Sequence, residues 1–253
     1  AYSPAILKGY TSVISLLASE QEAGRLHIKP VLVIPEGERL SEEEFIRIAR
    51  VFRGKVRSQY GSTEAGVAAY GCAEGWFHVD SDWMVLEPVD IDYKPVPAGV
   101  QSHTVLISNL ANRVQPVLRY DLGDGILQRP DPCPCGDRLP AIRVQGRAAD
   151  VLIFPVAYGE RISISPLALG TLVDRALEVE LFQIVQTAPT NLRVRLKPAD
   201  GSDPERVWQS VRAEITRLLA DNNLDHVTVE RGDESPEQSP GGKYREIIPL
   251  RGE

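Results

Sequence analysis

The chain has 253 residues, 43% hydrophobic and 25% charged, enough apolar material for one large core or two modest ones. Its 28 Lys and Arg stand against 35 Asp and Glu, a net charge of -7. No basic surplus exists to neutralise a phosphate backbone, which disfavours a nucleic-acid binder. The longest apolar runs, such as Val31-Leu32-Val33-Ile34, fall far short of the roughly 20 residues of a membrane span. No charged-then-apolar leader is read at the start, and no secretory signal is expected. Cysteines at 72, 133 and 135 only are an odd, uneven set that does not make a disulfide framework. A cytoplasmic protein is expected. The chain opens on Ala1 and holds a single Met, Met84, which fits a processed start or a piece of a longer protein.

Taken in chain order, strand-like and helix-like segments alternate, as in α/β and α+β proteins. The opening residues after Tyr2-Ser3-Pro4 read as helical. Pro30 to Ile34 reads as a buried strand. Ser41 followed by Glu44 is a capping box, opening a helix with Phe45, Ile48, Ala49 and Phe52 on its apolar face and Gly54 placed to end it. Short β segments follow at 56–60, 67–70, 82–87, 103–110 and 117–120, and turn density makes 85–140 a β-rich subdomain. A second unit begins near 150 with strand-like Val151 to Phe154. Ser165-Pro166 then sets the N-cap and first position of a helix carrying Leu172, Val173, Ala176 and Leu177. A hairpin is predicted from 181–187 and 191–197. Asp203-Pro204 starts a helix with Val207, Val211, Ile215, Leu218 and Leu219 on one face. A strand at 226–230, a polar Pro-rich loop from Arg231 to Gly242 and the apolar run 247–250 complete the chain.

Four segments can carry chemistry. Tyr60-Gly61-Ser62-Thr63-Glu64 follows a predicted strand, where backbone N–H groups and hydroxyls suit phosphate oxygens and Glu64 offers an oxygen ligand for Mg²⁺; an ordinary Gly/Ser turn is the alternative. Tyr120-Asp121-Leu122-Gly123-Asp124 ends on an aspartate beyond a tight glycine, able to grip a vicinal diol, though Gly-Asp turns are common. Gly146-Arg147-Ala148-Ala149-Asp150 lies at the expected unit boundary, where an ordinary surface loop would also explain its charged pair. Lys243 is one of only six lysines, and two preceding glycines would let its ammonium reach a distant anion; a solvated lysine in a loop is the alternative. It is not a Walker A lysine, because Glu237 stands at that motif's first glycine and Tyr244 follows the Lys.

In this order, the segments resemble the AMP-forming adenylating superfamily, most closely its phenylacetate–CoA ligase-like branch, along nearly the whole chain. Tyr60 to Glu64 is similar to the family's aromatic-Gly-x-Thr-Glu motif. The resemblance implies an aromatic flanking adenine, Thr63 at the α-phosphate and Glu64 on Mg²⁺. Gly37-Glu38 lies where the branch has an adenine-facing Gly-Gly-Glu turn, with Glu36 in place of its first glycine. Tyr120 to Asp124 resembles the motif whose Asp124 grips the ribose, Arg147 the ribose/phosphate arginine, Asp150 the hinge and Lys243 the lysine that assists adenylation. Nothing like the family's Ser/Thr- and Gly-rich phosphate loop occurs in these residues. The resemblance therefore implies the C-terminal part of such an enzyme: the end of the large domain (1–149), then a small mobile lysine-bearing α+β domain (150–253).

The implied activity is carboxylate–CoA ligation of an aryl or arylacetic acid, with ATP, Mg²⁺ and coenzyme A, in a possible homodimer or with a missing N-terminal half. One alternative passes the acyl group to an amine or carrier in natural-product biosynthesis. Others are a non-catalytic nucleotide-binding relic or a zinc-stapled interaction domain. Cys72, His78, Cys133 and Cys135 make a complete tetrahedral set for structural Zn²⁺. By spacing alone, free thiols are an equal alternative; the branch's Cys/His positions favour zinc.

Overall fold

The computed structural model describes residues 4–156, 159–176, 178–237 and 244–250. The chain divides into two compact units, Ala1–Gln145 and Gly146–Glu253.

In the first unit, β1 (Ile6–Tyr10) leads into α1 (Thr11–Glu22), then β2 (Leu32–Glu36), α2 (Glu42–Phe52) and β3 (Lys55–Val56). The three strands form a parallel sheet in the order β1-β2-β3. The opening residues are thus a strand before a helix, where the sequence reads as helical throughout. Ile6-Leu7-Lys8-Gly9-Tyr10 has a strand's alternating burial, and too few residues to show it against the longer apolar pattern of α1. Ile14 and Ala18 of α1, Ile48 and Phe52 of α2, and Val33 and Val56 of the sheet share one core.

The start of α2 is as expected: Ser41 Oγ accepts the Glu44 N–H at 3.1 Å. Its end differs. The left-handed residue is Arg53, at φ 53°, and not Gly54. Gly54 is required for another reason, since a Cβ there would lie 2.4 Å from the Pro30 carbonyl oxygen.

Next come β4 (Gln59–Ser62), β5 (Gly66–Gly71), β6 (Phe77–Val79), β7 (Met84–Val89), β8 (Thr104–Asn109), β9 (Val117–Asp121), β10 (Asp124–Gln128) and β11 (Ala141–Arg147). They form two sheets, one ordered β10-β11-β6-β5-β4 and one ordered β7-β8-β9. Tyr60, Ala69, Val79, Val105, Ile107, Ile126 and Ile142 make their common core.

The second unit contains the hairpin β12 (Leu152–Pro155) and β13 (Arg161–Ile164), α3 (Pro166–Arg175), β14 (Val179–Ala188), β15 (Asn191–Pro198), α4 (Pro204–Asp221), β16 (Thr228–Arg231) and β17 (Ile247–Ile248). Four of the strands make a sheet in the order β16-β15-β14-β17. Phe182 and Ile184, and Leu192 and Val194, each two residues apart on a strand, present one apolar face. The face meets Leu169 and Val173 of α3 and Val211, Ile215 and Leu219 of α4. Both helices have the expected caps: Ser165 accepts from Ala168 N, and Asp203 from Glu205 N and Arg206 N. Leu177 and Lys243 lie outside the described residues. Among the described residues no helix is long and apolar enough to cross a membrane.

Candidate functional site

The 60–64 segment is the end of β4 and the start of a tight connection to β5. Gly61 is in the strand, where a Cβ would strike the Gly66 carbonyl oxygen at 2.2 Å. The connection is braced from two sides. Ser62 Oγ accepts the Ala65 N–H at 3.1 Å, and Asn109 Nδ2 donates to the Ala65 carbonyl at 2.8 Å. Thr63 and Glu64 are left on the exposed tip. Tyr60 is buried, its ring 6.1 Å from that of Phe77. Its hydroxyl donates to Asp124 Oδ2 at 3.0 Å.

Asp124, the first residue of β10, is thereby joined to a residue 64 positions earlier. The turn that delivers it begins at a bulge. The pairing of β8 with β9 shifts between Ile107 and Asn109, Arg119 takes φ 47°, and its N–H is held by Ser108 Oγ at 2.8 Å. Such bulges re-aim the residues that follow them. Asp121 then accepts three hydrogen bonds: from Thr104 Oγ1 (2.5 Å), Tyr93 Oη (2.7 Å) and the Gly123 N–H (2.9 Å). Burial pushes the Asp121 carboxyl up, but the bonds from Thr104, Tyr93 and Gly123, with His103 nearby, outweigh it and hold the group below the usual aspartate value.

Gly37 follows the carboxyl end of β2, the end of a parallel sheet at which ligands are commonly bound. It has φ 75°, and a Cβ would lie 2.9 Å from the Tyr10 ring. Glu38 caps α1 from a distance. Its carboxylate accepts Ser12 N–H (2.7 Å) and Ser12 Oγ (3.1 Å), supplying the acceptor and negative charge that a helix N-terminus favours. The N-cap residue Tyr10 makes no such side-chain bond.

In the second unit, Arg147 ends β11 and precedes the single turn Ala148–Asp150. The Asp150 carboxylate pairs with the Arg245 guanidinium. The residues flanking the undescribed segment 238–243 are tied to β14. Gln183 Nε2 donates to the carbonyls of Glu237 (3.2 Å) and Arg245 (2.9 Å), while its Oε1 accepts Arg195 Nη1 at 2.9 Å. Tyr244 donates to the Phe182 carbonyl.

The four soft ligands converge in the first unit. One ligand atom each from Cys72, His78, Cys133 and Cys135 lies within 4.8 Å of the others. Cys72 Sγ and Cys133 Sγ are 3.9 Å apart, close to the roughly 3.8 Å edge of a tetrahedron with Zn–S bonds near 2.3 Å. Cys135 Sγ is 3.2 Å from His78 Nε2. The other ring nitrogen, Nδ1, lies 3.1 Å from the Leu139 carbonyl. A carbonyl can only accept, so Nδ1 donates to it, and Nε2 is the ring nitrogen turned toward the sulfurs. Trp76 covers the cluster, with the Arg143 guanidinium 4.2 Å and that of Arg129 5.0 Å from its ring centroid. The donor set and spacing fit Zn²⁺.

No family model matches the chain. The protein CapK of Staphylococcus aureus is 24% identical over 254 residues, spanning 98% of this chain and 53% of CapK. A 2-hydroxyisobutyryl-CoA ligase, solved in the postadenylation state with 2-HIB-AMP, superposes with a TM-score of 0.76 at 20% identity, over 98% of this chain and 55% of the ligase. The amide bond synthetase McbA from Marinactinospora thermotolerans gives 0.68 at 16% identity, over 96% and 50%. These likenesses show that the chain shares the fold of the matched part of these two enzymes. This chain spans about half the length of the relatives it matches.

Sequence reasoning missed three supporting residues. Asp121 had a legible signal, an aspartate two positions before a glycine, the pattern of a side chain that bonds its own turn. Asn109 and Gln183 had none, because their partners lie 44 and up to 62 residues away.

Proposed function

We propose that the chain forms part of an AMP-forming carboxylate–CoA ligase that adenylates an aryl or arylacetic acid with ATP and then forms the thioester. The observation that carries this reading is the Tyr60–Asp124 hydrogen bond. It ties together the two motifs to which the resemblance assigns phosphate and ribose contacts. The likeness of fold to CoA ligases supports adenylate formation in general.

In this reading the exposed Thr63 meets the α-phosphate, and the backbone of Gly61 and Ser62 lines its approach. Asp124 accepts from the ribose diol, while Arg147 donates to the ribose and phosphate side. Gly37 and the backbone at Glu38 pass against adenine, the Glu38 carboxylate remaining on α1. Glu64 is the carboxylate that would hold Mg²⁺, which supplies charge neutralisation on the phosphates. Lys243 donates to oxygens that gain charge as the substrate carboxylate attacks. The second unit is the lysine-bearing domain, with Asp150 as its hinge. Cys72, His78, Cys133 and Cys135 would hold a structural Zn²⁺ that pins the connection before β6 to the one before β11.

A second reading, favoured by the likeness to an amide bond synthetase, keeps adenylation and passes the acyl group to an amine or carrier. AMP release that depends on CoA separates the two. For both, acid-dependent ATP–pyrophosphate exchange is the assay. Lys243→Ala should slow adenylation about 100-fold or more, with thioester formation from preformed acyl adenylate changed only a few-fold. Equal loss in both half-reactions would remove the assigned role of the lysine.

A further inference from the structure

We propose that Asp121 is a positioning residue that sets the place of Asp124, and through it the recognition of a ribose diol; this rests on the reading of Asp124 as the ribose ligand. Asp121 stands inside the Tyr120 to Asp124 motif, yet the resemblance gives it no role.

Its carboxylate is the junction of three separate segments. Oδ1 accepts the Thr104 hydroxyl, from the first residue of β8, and the N–H of Gly123 in its own turn. Oδ2 accepts the hydroxyl of Tyr93. Tyr93 belongs to the 90–94 turn, which is closed by Asp90 Oδ1 accepting the N–H groups of Asp92 and Lys94 at 2.9 Å each. Thr104 is buried at 1% exposure, so that strut is anchored in the core. Three donors on its two oxygens make Asp121 a brace across these segments.

What the brace fixes is Gly123. This residue has φ 69°, a conformation open to glycine, and it is the last residue before Asp124. Holding its N–H fixes the peptide path into β10. Asp124 is then met from the other side by the buried Tyr60 hydroxyl. One end of the turn is pinned by Asp121 and the other by Tyr60, so Asp124 is presented in a set orientation ahead of nucleotide binding. Preorganisation of this kind raises affinity without a new contact to the ligand.

The role is geometric, so a neutral acceptor should serve. Asp121→Asn keeps an oxygen for Thr104 and Gly123 and offers an NH₂ to the Tyr93 oxygen; Asp121→Ala keeps nothing. The test uses the intact protein as isolated from its source and two probes, AMP and 2′,3′-dideoxy-AMP, which lacks the diol. Loss of a preorganising hydrogen-bond set should weaken AMP binding by about tenfold in Asp121→Ala. Dideoxy-AMP should bind the variant and the parent alike. Asp121→Asn should hold AMP within about threefold of the parent. If Asp121→Ala folds poorly, Tyr93→Phe removes one strut from an exposed side chain and should cost AMP alone about threefold.

Asp124→Ala separates this inference from the functional reading. No loss of AMP affinity in Asp124→Ala would bring down the ribose assignment itself. A loss there, with Asp121→Ala and Tyr93→Phe unchanged, would overturn only the positioning role. So would equal losses for AMP and dideoxy-AMP in Asp121→Ala, the mark of general destabilisation, or an Asn variant as weak as the Ala variant.

Discussion

Cys133→Ser tests the proposed zinc centre, and the expected size of its effect follows from chain topology. Cys133 is buried at 7% exposure and lies 3.9 Å, sulfur to sulfur, from Cys72, 61 residues earlier. A metal bound to both therefore closes a loop of about that length. By the loop-entropy relation used for disulfides, removing such a closure destabilises the folded state by about 4 kcal/mol. For a unit of roughly 150 residues, this corresponds to a fall in Tm of about 8–16 °C. The Ser oxygen is a poor match for a thiolate position, so the ion should be lost outright. The assay is metal content by mass spectrometry together with thermal melts of parent and variant, each with and without a chelator. The parent should contain about one zinc per chain and its transition should fall on chelation; the variant should contain none and ignore the chelator. A parent prepared without chelators that holds no zinc would refute the reasoning, as would a Cys133→Ser variant that keeps stoichiometric zinc.

Two further outcomes are expected. Gln183→Met preserves volume but deprives two carbonyls and the Arg195 guanidinium of a partner supplied by a side chain that is itself 1% exposed, so it should destabilise the second unit by about 2–4 kcal/mol. Trp208 is buried in that unit's core, and its fluorescence in a Trp76→Phe, Trp83→Phe background reads the urea transition; a midpoint equal to the parent's would contradict this. Glu22 of α1 accepts from Arg47 of α2 at 2.7 Å and pairs with Arg50 at 3.2 Å. These bonds, Arg47 first, lower its pKa. A carboxyl lowered on folding contributes stability above its unfolded pKa of about 4.3 and loses it as the pH falls through the folded value. Glu22→Gln should therefore reduce stability near neutral pH by a small, salt-sensitive amount and flatten the fall below about pH 4.5. An unchanged acid limb at low salt would show that the pair contributes nothing.

The parts of the fold legible in the sequence are those governed by local rules. The Ser41, Ser165 and Asp203 caps are each a short polar side chain reaching a backbone N–H two or three residues on, and such signals need no tertiary knowledge. The hairpin of β14 and β15 runs ten and eight residues, long enough for its apolar content to show as strand. What escapes is either short or non-local. β1 is five residues, paired with a strand that lies far along the chain, and β6 is three. Gly54 illustrates a subtler miss. Its position beyond α2 suggests the left-handed cap, but Arg53 takes that conformation, and the glycine answers to the Pro30 carbonyl across the sheet.

The candidate site divides in the same way. The segments proposed to carry chemistry are contiguous words, so Tyr60 to Glu64, Tyr120 to Asp124 and Arg147 to Asp150 are legible from the order of residues alone. Their supports are scattered through the chain. Asn109 braces the 62–65 turn, Ser108 and Thr104 shape the approach to Asp124, and Gln183 secures the flanks of the segment bearing Lys243. Ser108, Thr104 and Gln183 are buried polar groups, and burial is costly for such groups unless their bonds are made. Their placement is therefore informative. The hydroxyls of Ser108 and Thr104 hold the backbone leading to Asp124, and the amide of Gln183 holds the carbonyls of Glu237 and Arg245; under the proposed function this is preorganisation of the groups that meet the nucleotide.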